Sequence, residues 1–336
     1  MLIFITGNSR SGTTMMGRIL NRHPEVFTFG ELHFFGNMWE PGNGKVLLNR
    51  QEAIELFTVL MARQREGFLI YRNPDKYKNE ASLALETLPD LMLKPAIIYR
   101  HFLEYETRLN NKIIPCEQTP SNGYYAGFLL NEFHDSYFVN MVRDPRDVLL
   151  SQKKKWKRKF LGASKIPLTE SIRSWFNYHP VLIALLWKKN AVQSLKLQEH
   201  KRYKQFSFEN LVSDPENKLK ELCHFLQLNF QQEMMQVPHA GSSSRKDRET
   251  EAGIDSHVAG QWKNGGLAHT EIWWCEKITG KQMNQLGYSA SKTKPALLKL
   301  LWLAFLLPVK TGISFLLNLS RMKNIRKTIA RKFGNV

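Results

Sequence analysis

The stretch "LIFITGNSRSGTTMM", residues 2–16, decides the fold of this chain. Its apolar start predicts a buried strand over 2–6, and the residues after the turn predict a helix over 13–21. Gly7 and Gly12 lie in the turn between them. A strand, a glycine-rich turn and a helix start together direct several backbone N–H groups and the positive end of the helix dipole at one anion. The stretch therefore predicts a phosphate-binding loop.

This loop lacks the lysine that most phosphate-binding loops carry. Gly7 and Gly12 have the spacing of the Walker pattern G-x-x-x-x-G-K-[ST], but Thr13 stands at the lysine position and Thr14 at the hydroxyl position. Nucleoside-triphosphate chemistry uses that lysine across the β- and γ-phosphates, so a kinase reaction is disfavoured. The alternative is a tight turn that only packs a helix onto a sheet. The hydroxyl groups clustered at Ser9, Ser11, Thr13 and Thr14 favour anion binding over that alternative.

Composition and charge limit the classes of protein that this chain can be. Its 336 residues, 43% of them hydrophobic, are enough for one large domain or two modest ones. The formal charge of +18 predicts polyanions, anionic membranes or multiply charged small molecules as partners. Three scattered cysteines are too few for a disulfide framework or a four-ligand zinc site, which predicts a reduced, cytosolic compartment. Because the chain opens on a predicted core strand, we expect no signal peptide or N-terminal anchor.

Predicted strands alternate with predicted helices along most of the chain. The strands are 2–6, 112–116, 137–142 and 202–208, and the helices are 13–21, 51–65, 92–108, 169–195 and 215–226. This order predicts an α/β fold with a mainly parallel central sheet flanked by helices and with a modified P-loop. A long loop is predicted over 239–264. We expect a domain over 1–290 and an apolar, then basic, helical tail over 291–336.

The segment "RSGTTMM", residues 10–16, resembles the 5'-phosphosulfate loop of the sulfotransferases that use 3'-phosphoadenosine 5'-phosphosulfate (PAPS). An arginine at the position of Arg10 resembles the tyrosylprotein sulfotransferase branch and bacterial-type members. The resemblance implies that Ser11, Gly12, Thr13 and Thr14 hold the 5'-phosphate. It also implies that the always-charged guanidinium of Arg10 offsets the charge on the breaking sulfur–oxygen bond.

A second segment, "FVNMVRDPRDVLLSQ" at 138–152, predicts a core strand followed by a helix that Asp144 caps. Arg143 ends the strand, and Ser151 follows eight residues later, so both side chains can converge on one phosphate. The segment resembles the 3'-phosphate motif of the same family. The alternative is an ordinary helix start in which Arg143 or Arg146 pairs with Asp144 or Asp147. The separation and order of the two segments favour one nucleotide at the carboxyl ends of the strands.

A third segment, "GQWKN" at 260–264, resembles the family's Gly-x-Trp-Lys-Asn stretch and implies cofactor contacts from Trp262 and Lys263. The Arg-Lys-Gly that usually precedes it is replaced here by Asp255, Ser256 and His257. Part of the family's phosphate clamp is therefore absent or comes from elsewhere. We expect Ser256 to contribute a hydrogen bond. Arg245, Lys246 and Arg248 are further candidates, although a solvated charged loop explains those three equally well.

The segment "HPEVFTFGELHFF", residues 23–35, offers a general base for the acceptor hydroxyl. Glu31 falls where the tyrosylprotein sulfotransferases place their catalytic glutamate, and we predict it as the base ahead of His33. A surface carboxylate is the alternative. If the neighbouring phenylalanines Phe29, Phe34 and Phe35 buried Glu31, its pKa would rise.

The predicted chemistry departs from the family at one further position. Gln118 stands where a family lysine often contacts the sulfonate, so more of the electrostatic stabilisation would fall to Arg10. Because protein cations would hold the leaving bisphosphate, we expect no metal.

Two segments, one basic and one apolar, are candidates for contacts with partners. The run "KKKWKRK", 153–159, predicts a solvated helix face, or a surface that steers anions or touches lipid headgroups. The ten uncharged residues 300–309 fall short of the ~20 needed to span a bilayer, so they predict an interfacial amphipathic segment or, alternatively, a packing helix or an oligomer contact. Later cations would support the interfacial alternative: Arg321, Lys323, Arg326, Lys327, Arg331 and Lys332.

These observations predict a metal-independent PAPS-dependent sulfotransferase with Glu31 as its base. We expect it in the cytoplasm, peripheral on the inner face of a membrane, with a glycan or glycolipid hydroxyl as acceptor. The alternatives are a P-loop kinase, which lacks support from a Walker-B aspartate, and a non-catalytic basic protein that binds membranes or nucleic acid. No nucleic-acid motif is present in the sequence.

Overall fold

The computed structural model describes residues 1–40, 47–68, 71, 73–157, 160–161, 164–165, 167–237 and 252–319. The strands are β1 Leu2–Gly7, β2 Val26–Thr28, β3 Ile114–Glu117, β4 Ser136–Val142, β5 Phe160–Leu161, β6 Ser164–Lys165 and β7 Tyr203–Ser207. The helices are α1 Thr13–Asn21, α2 Arg50–Glu66, α3 Lys78–Leu85, α4 Pro95–Leu109, α5 Ala126–Glu132, α6 Pro145–Lys154, α7 Leu168–Phe176, α8 Pro180–Leu197, α9 Phe208–Ser213, α10 Pro215–Leu226, α11 His269–Gln285 and α12 Leu297–Asn318.

Five parallel strands form the central sheet in the order β2-β3-β1-β4-β7, while β5 and β6 pair separately. The chain runs from β1 out to β2, returns through β3 and then crosses to β4 on the other side of β1. The order therefore reverses beside β1, and in such sheets ligands bind outside the carboxyl ends of the strands at that point. This architecture confirms the predicted α/β fold with a parallel sheet.

Alternate side chains of β1 enter two different cores. Leu2 and Phe4 pack in the core that includes α2 and α4, whereas Ile3 and Ile5 pack in the core that includes α1 and α10. A strand that is buried on both faces has no polar side, which explains the run of four apolar residues over 2–5. The loop that follows β1 is thus anchored to the centre of the molecule.

One predicted helix is wrong in extent, and the short strands β2, β5 and β6 were not predicted. The stretch 169–195 forms two helices, because Pro180 begins α8 and the residue before it, His179, has extended backbone angles. The strand β2 has three residues, too few for a period to be recognised. The predicted start of α6 is confirmed, since the Asp144 side chain accepts a hydrogen bond from the backbone N–H of Arg146.

The C-terminal helix α12 is longer than the sequence suggested. It has 22 residues, and the uncharged run 300–309 is only its middle part. By length and composition alone, α12 is long and apolar enough to cross a membrane, so the expectation that this segment is too short to span is wrong. The helix packs on α7, and none of its own residues is buried against the described part of the chain.

Candidate active site at the carboxyl ends of the sheet

The loop between β1 and α1 depends on two glycines with positive φ. A side chain at Gly7, where φ is +144°, would place its Cβ 2.4 Å from the carbonyl oxygen of Met141 in β4. At Gly12, where φ is +92°, a Cβ would lie 2.4 Å from the ring of Phe208. Only glycine satisfies both the backbone angle and the space at these positions. The glycine spacing that suggested a phosphate-binding loop therefore has a steric cause here.

The start of α1 presents polar groups that other residues do not satisfy. Gly12 occupies the N-cap position and offers no side chain to the first N–H groups of the helix. The hydroxyl of Ser11 is buried and has no hydrogen-bond partner among the described residues. Thr13 is buried as well, whereas Thr14 is exposed. A buried, unsatisfied hydroxyl beside uncapped N–H groups fits the oxygens of an anion.

The two predicted phosphate motifs lie in direct contact. Arg10 donates from Nε to the hydroxyl oxygen of Ser151 over 2.8 Å. Arg143 in turn donates from its guanidinium to the carbonyl oxygen of Arg10 over 3.3 Å. These contacts join the loop after β1 to both ends of the Arg-to-Ser segment. The residues predicted to hold opposite ends of one nucleotide are thus close together at one edge of the sheet.

Arg143 occupies a largely buried, partly satisfied position. Its guanidinium lies 4.1 Å above the ring of Phe208 and donates to the carbonyl oxygen of Val258 over 2.7 Å. Its Nε has no hydrogen-bond partner in the described part of the chain. Burial lowers the pKa of Arg143, and the carboxylate of Asp147, 3.8 Å away, partly opposes this effect. A bound phosphate would satisfy the free N–H and compensate the charge.

Asp147 holds the third predicted segment against α6, a role that the sequence analysis did not assign. Its two carboxylate oxygens accept hydrogen bonds from the backbone N–H groups of Gly260, at 2.7 Å, and of Trp262, at 2.8 Å. Burial raises the pKa of this fully enclosed carboxyl, and Arg143 opposes the rise. The only signal in the sequence was an acidic residue four positions after Arg143. Asp147 therefore brings the segment 260–262 beside Arg143.

The remaining residues of the third segment have mixed positions. The ring of Trp262 lies 3.9 Å from the guanidinium of Arg146, and Lys263 and Ser256 are exposed. Arg146 itself pairs with Asp144 over 2.7 Å, as the alternative interpretation of this helix start predicted. The structure therefore gives Arg146 a packing and pairing role and leaves Arg143 as the arginine beside the loop. The candidates Arg245, Lys246 and Arg248 lie outside the described residues.

Glu31 and His33 form a pair at the surface. The imidazole Nε2 of His33 lies 3.0 Å from a carboxylate oxygen of Glu31, and the Glu31 side chain is 44% exposed. Phe29, Phe34 and Phe35 are buried in the core and do not enclose Glu31, so the surface carboxylate is the arrangement that the structure shows. These aromatic side chains instead fix the backbone on both sides of the pair.

A buried carboxyl group supports the loop that carries this pair. Glu117, at the end of β3, is fully buried, and burial raises its pKa to about 8. It accepts hydrogen bonds from Asn122 and from both the N–H and the hydroxyl of Thr119. The same Thr119 hydroxyl accepts from the backbone N–H of His33 over 3.3 Å. Glu117 therefore connects the end of β3 to the Glu31–His33 loop, a role that the sequence analysis did not assign.

Gln118 lies between this loop and the phosphate-binding helix. Its side chain is buried, and its amide oxygen lies 2.1 Å from the position that a Cβ on Gly17 of α1 would take. A side chain at position 17 would therefore have to displace the amide end of Gln118. Gln118 thus packs on α1, and the contacts run continuously from His33 through Thr119 and Gln118 to the helix that begins at the anion loop.

Within the described ranges, no group of three or more His, Cys, Asp or Glu side chains is placed to hold a metal ion. In the basic run 153–159, Lys153 pairs with Glu271 over 2.6 Å. Residues 154–157 are exposed, and Arg158 and Lys159 lie outside the described residues, as do the cations of 321–332.

Comparisons with known proteins agree with this geometry. The model of the sulfotransferase family matches residues 3–232. The sulfotransferase domain of the Synechococcus PCC 7002 olefin synthase is 19% identical, with a TM-score of 0.51, and the alignment covers 86% of this chain and 94% of that domain. The sulfotransferase domain of the curacin biosynthetic pathway is 22% identical, with a TM-score of 0.52, and the alignment covers 85% and 97%. No curated protein matches the sequence.

Proposed function

Because this chain belongs to the PAPS-dependent sulfotransferase family, we propose that the loop after β1 and the segment 143–151 bind PAPS together and that Glu31 activates an acceptor hydroxyl. The family's reaction is sulfuryl transfer. The observation that carries the residue assignment is the contact between the two motifs, in which Arg10 bonds Ser151 and Arg143 bonds Arg10. One nucleotide can therefore reach both motifs.

The residues of the loop have distinct roles in donor binding. The uncapped N–H groups at the start of α1 and the buried hydroxyl of Ser11 hold the 5'-phosphate, with Gly12 allowing the close approach and Thr13 and Thr14 beside it. Arg143 and Ser151 hold the 3'-phosphate. Ser256, Trp262 and Lys263 belong to the segment that Asp147 fixes next to Arg143, and they complete that end of the site.

The catalytic roles follow from charge and proton transfer. PAPS supplies the sulfuryl group, which passes to the acceptor oxygen as the bond to the 5'-phosphate breaks, with adenosine 3',5'-bisphosphate as the other product. Glu31 accepts the proton of the acceptor hydroxyl, an effect worth ~10²–10⁴-fold in rate. His33, 3.0 Å from Glu31, orients that carboxylate. Arg10 offsets the negative charge that develops on the phosphate, since the neutral Gln118 adds no charge there.

Three further features belong to the proposal. Protein cations hold the phosphates, so the reaction needs no metal. The acceptor is a glycan or glycolipid hydroxyl, a choice supported by the exposed apolar helix α12. The enzyme works in the cytoplasm at the inner face of a membrane, and the three buried free cysteines support a reduced compartment.

Calorimetric titration tests the donor site. Adenosine 3',5'-bisphosphate should bind with and without EDTA, and ADP should bind much more weakly because it lacks the 3'-phosphate. Arg143→Ala should reduce the bisphosphate affinity by about thirty-fold or more, since a charge-assisted contact is lost (roughly 2 kcal/mol). Arg108→Ala is the matched control, because that arginine is exposed on α4. Equal affinity for ADP, or an absolute Mg²⁺ requirement, would favour a P-loop kinase. No saturable binding of either nucleotide would favour a non-catalytic basic protein.

A further inference from the structure

Helices α7 and α12 form an exposed apolar surface on one side of the molecule, which we call the apolar platform. Leu298 is 81% exposed and Phe305 is 63% exposed on α12, and Leu168 on α7 is exposed to a similar degree. Trp175 of α7 and Trp302 of α12 are half exposed. Scattered apolar residues are normal on a protein surface, but exposed apolar residues concentrated on two contacting helices indicate an interaction site.

Polar contacts hold α12 along the domain. Lys310 donates to the carbonyl oxygen of Tyr178 over 3.1 Å and lies 4.1 Å from the ring of Trp175. Arg173 donates to the carbonyl oxygen of Leu317 over 3.0 Å, and the ring of His179 contacts the carbonyl oxygen of Leu303 at 3.0 Å. If α12 crossed a bilayer in this arrangement, cationic side chains of its docking site would enter the hydrocarbon, at high cost. The contacts favour a helix that lies in the plane of a membrane interface.

Cations and tryptophans border the apolar platform. The short 3-10 segment Lys155–Lys157 packs on α7, and its residues Lys155, Trp156 and Lys157 are exposed. Tryptophan prefers the boundary between acyl chains and headgroups, and lysines beside it interact with anionic lipids. Trp156, Trp175 and Trp302 supply this pattern on three separate elements.

Either a second copy of this chain or a membrane could cover such a surface, and the net charge of the chain favours the membrane. A second copy would bring two chains of net charge +18 together. An anionic bilayer instead offers both an apolar interior and compensating charge. We infer that the apolar platform and the segment 154–157 insert into the headgroup region of an anionic membrane, so that the enzyme binds one leaflet without spanning it.

The position of the apolar platform also indicates a class of acceptor. This part of the inference rests on the proposed function. Ser151, in the proposed 3'-phosphate site, lies on α6, which ends at Lys154 and leads directly into the 3-10 segment of the platform border. The donor site is therefore less than two helical turns from the membrane surface. An acceptor hydroxyl on a lipid or a lipid-linked glycan would be presented at that level.

Vesicle sedimentation with the full-length chain tests the inference. The protein should sediment with vesicles of phosphatidylcholine and phosphatidylglycerol and about ten-fold less with phosphatidylcholine alone. The double variant Trp302→Glu, Phe305→Glu should lower binding to the anionic vesicles by at least ten-fold. The matched control Ile113→Glu, at a position that is 71% exposed before β3, should not change it.

Two outcomes would overturn the inference, and a separate readout protects it from a folding defect. If the wild-type protein does not sediment with the anionic vesicles, the inference is wrong. A dimer in analytical ultracentrifugation that the double variant abolishes would assign the surface to a second copy instead. Bisphosphate binding, measured on the same variants, should stay within two-fold of wild type, which shows that they fold. A wild type that binds the bisphosphate but not the anionic vesicles would overturn this inference and leave the proposed function standing, whereas a wild type that binds the vesicles but not the bisphosphate would do the reverse.

Discussion

Arg10 and Ser151 are 141 positions apart in the chain, and the guanidinium Nε of the first donates to the hydroxyl oxygen of the second over 2.8 Å. Arg10 also has a φ of +80°, in the left-handed region that residues other than glycine rarely adopt. Backbone strain of this kind is retained where surrounding contacts enforce it, and it clusters at ligand sites. The bond makes the loop after β1 and the helix α6 one structural unit.

The buried hydroxyl of Ser11 allows stability and function to be separated. Ser11→Ala removes a hydroxyl that has no partner among the described residues, so the ligand-free protein should keep or slightly gain thermal stability. Affinity for adenosine 3',5'-bisphosphate should fall about ten-fold, because a hydrogen bond to a charged phosphate is lost. Differential scanning calorimetry measures the thermal stability, and isothermal titration calorimetry measures the bisphosphate affinity. Lower stability with unchanged affinity would contradict the anion-binding role of Ser11.

The steric requirement at Gly12 predicts a large effect from one methyl group. Gly12→Ala should lower the unfolding free energy by roughly 2 kcal/mol or more, since the new Cβ meets the Phe208 ring at a backbone angle that alanine disfavours. Donor binding should be lost as well. The matched control is Gly280→Ala in the interior of α11, where a Cβ meets nothing within 4 Å. There we expect stabilisation of about 0.4–1 kcal/mol, measured by urea unfolding. Similar changes in unfolding free energy for Gly12→Ala and Gly280→Ala would contradict the steric explanation.

The base assignment is tested by comparing two variants of one pair. Glu31→Gln should reduce the turnover number with PAPS and a hydroxyl acceptor by ~10²–10⁴-fold and leave bisphosphate affinity unchanged. His33→Asn should have a smaller effect, because it removes only the group that orients the carboxylate. Glu25→Gln, an exposed carboxylate before β2, serves as control. A larger loss for His33→Asn than for Glu31→Gln would reverse the two roles.

The buried carboxyl of Glu117 predicts how stability depends on pH. Burial raises its pKa from 4.5 to about 8, so between these values the folded state binds a proton that the unfolded state has released. The contribution of Glu117 to stability is therefore full below about pH 4.5 and is lost as the pH rises to about 8. Relative to Glu117→Gln, which mimics the protonated group, the wild type should lose stability across this window. Urea unfolding of both proteins at pH 5, 6.5 and 8 measures the difference, and a constant difference would contradict the assignment.

Much of the fold was readable from short segments. The strand, turn and helix over 2–21 were predicted correctly, because buried strands leave an apolar run and Gly7 and Gly12 mark positive backbone angles. The start of α6 was predicted from Asp144 and Pro145 for the same kind of local reason. The single helix predicted over 169–195 was wrong. The apolar periodicity continues across Pro180, but proline disrupts a helix at an interior position, so the chain forms two helices there.

The sequence predicted candidate site residues but not how they are arranged. The sequence could not show that Glu31 is exposed beside buried phenylalanines, since the side on which a loop residue lies depends on packing. Asp147 and Glu117 received no role because their partners are distant in the chain: Gly260 and Trp262 for Asp147, and, through Thr119, His33 for Glu117.

By itself, the sequence determined parts of the local backbone: the strand and helix over 2–21, the start of α6, and the turn in which glycine permits an anion to be held. These properties depend on steric limits within a few residues. Only the tertiary structure decided that Arg10 meets Ser151, that Asp147 holds the segment at Gly260 and that α12 lies along α7. Such contacts depend on the order of strands in the sheet and on how helices pack across it, and neither is contained in the conformational preference of a single segment.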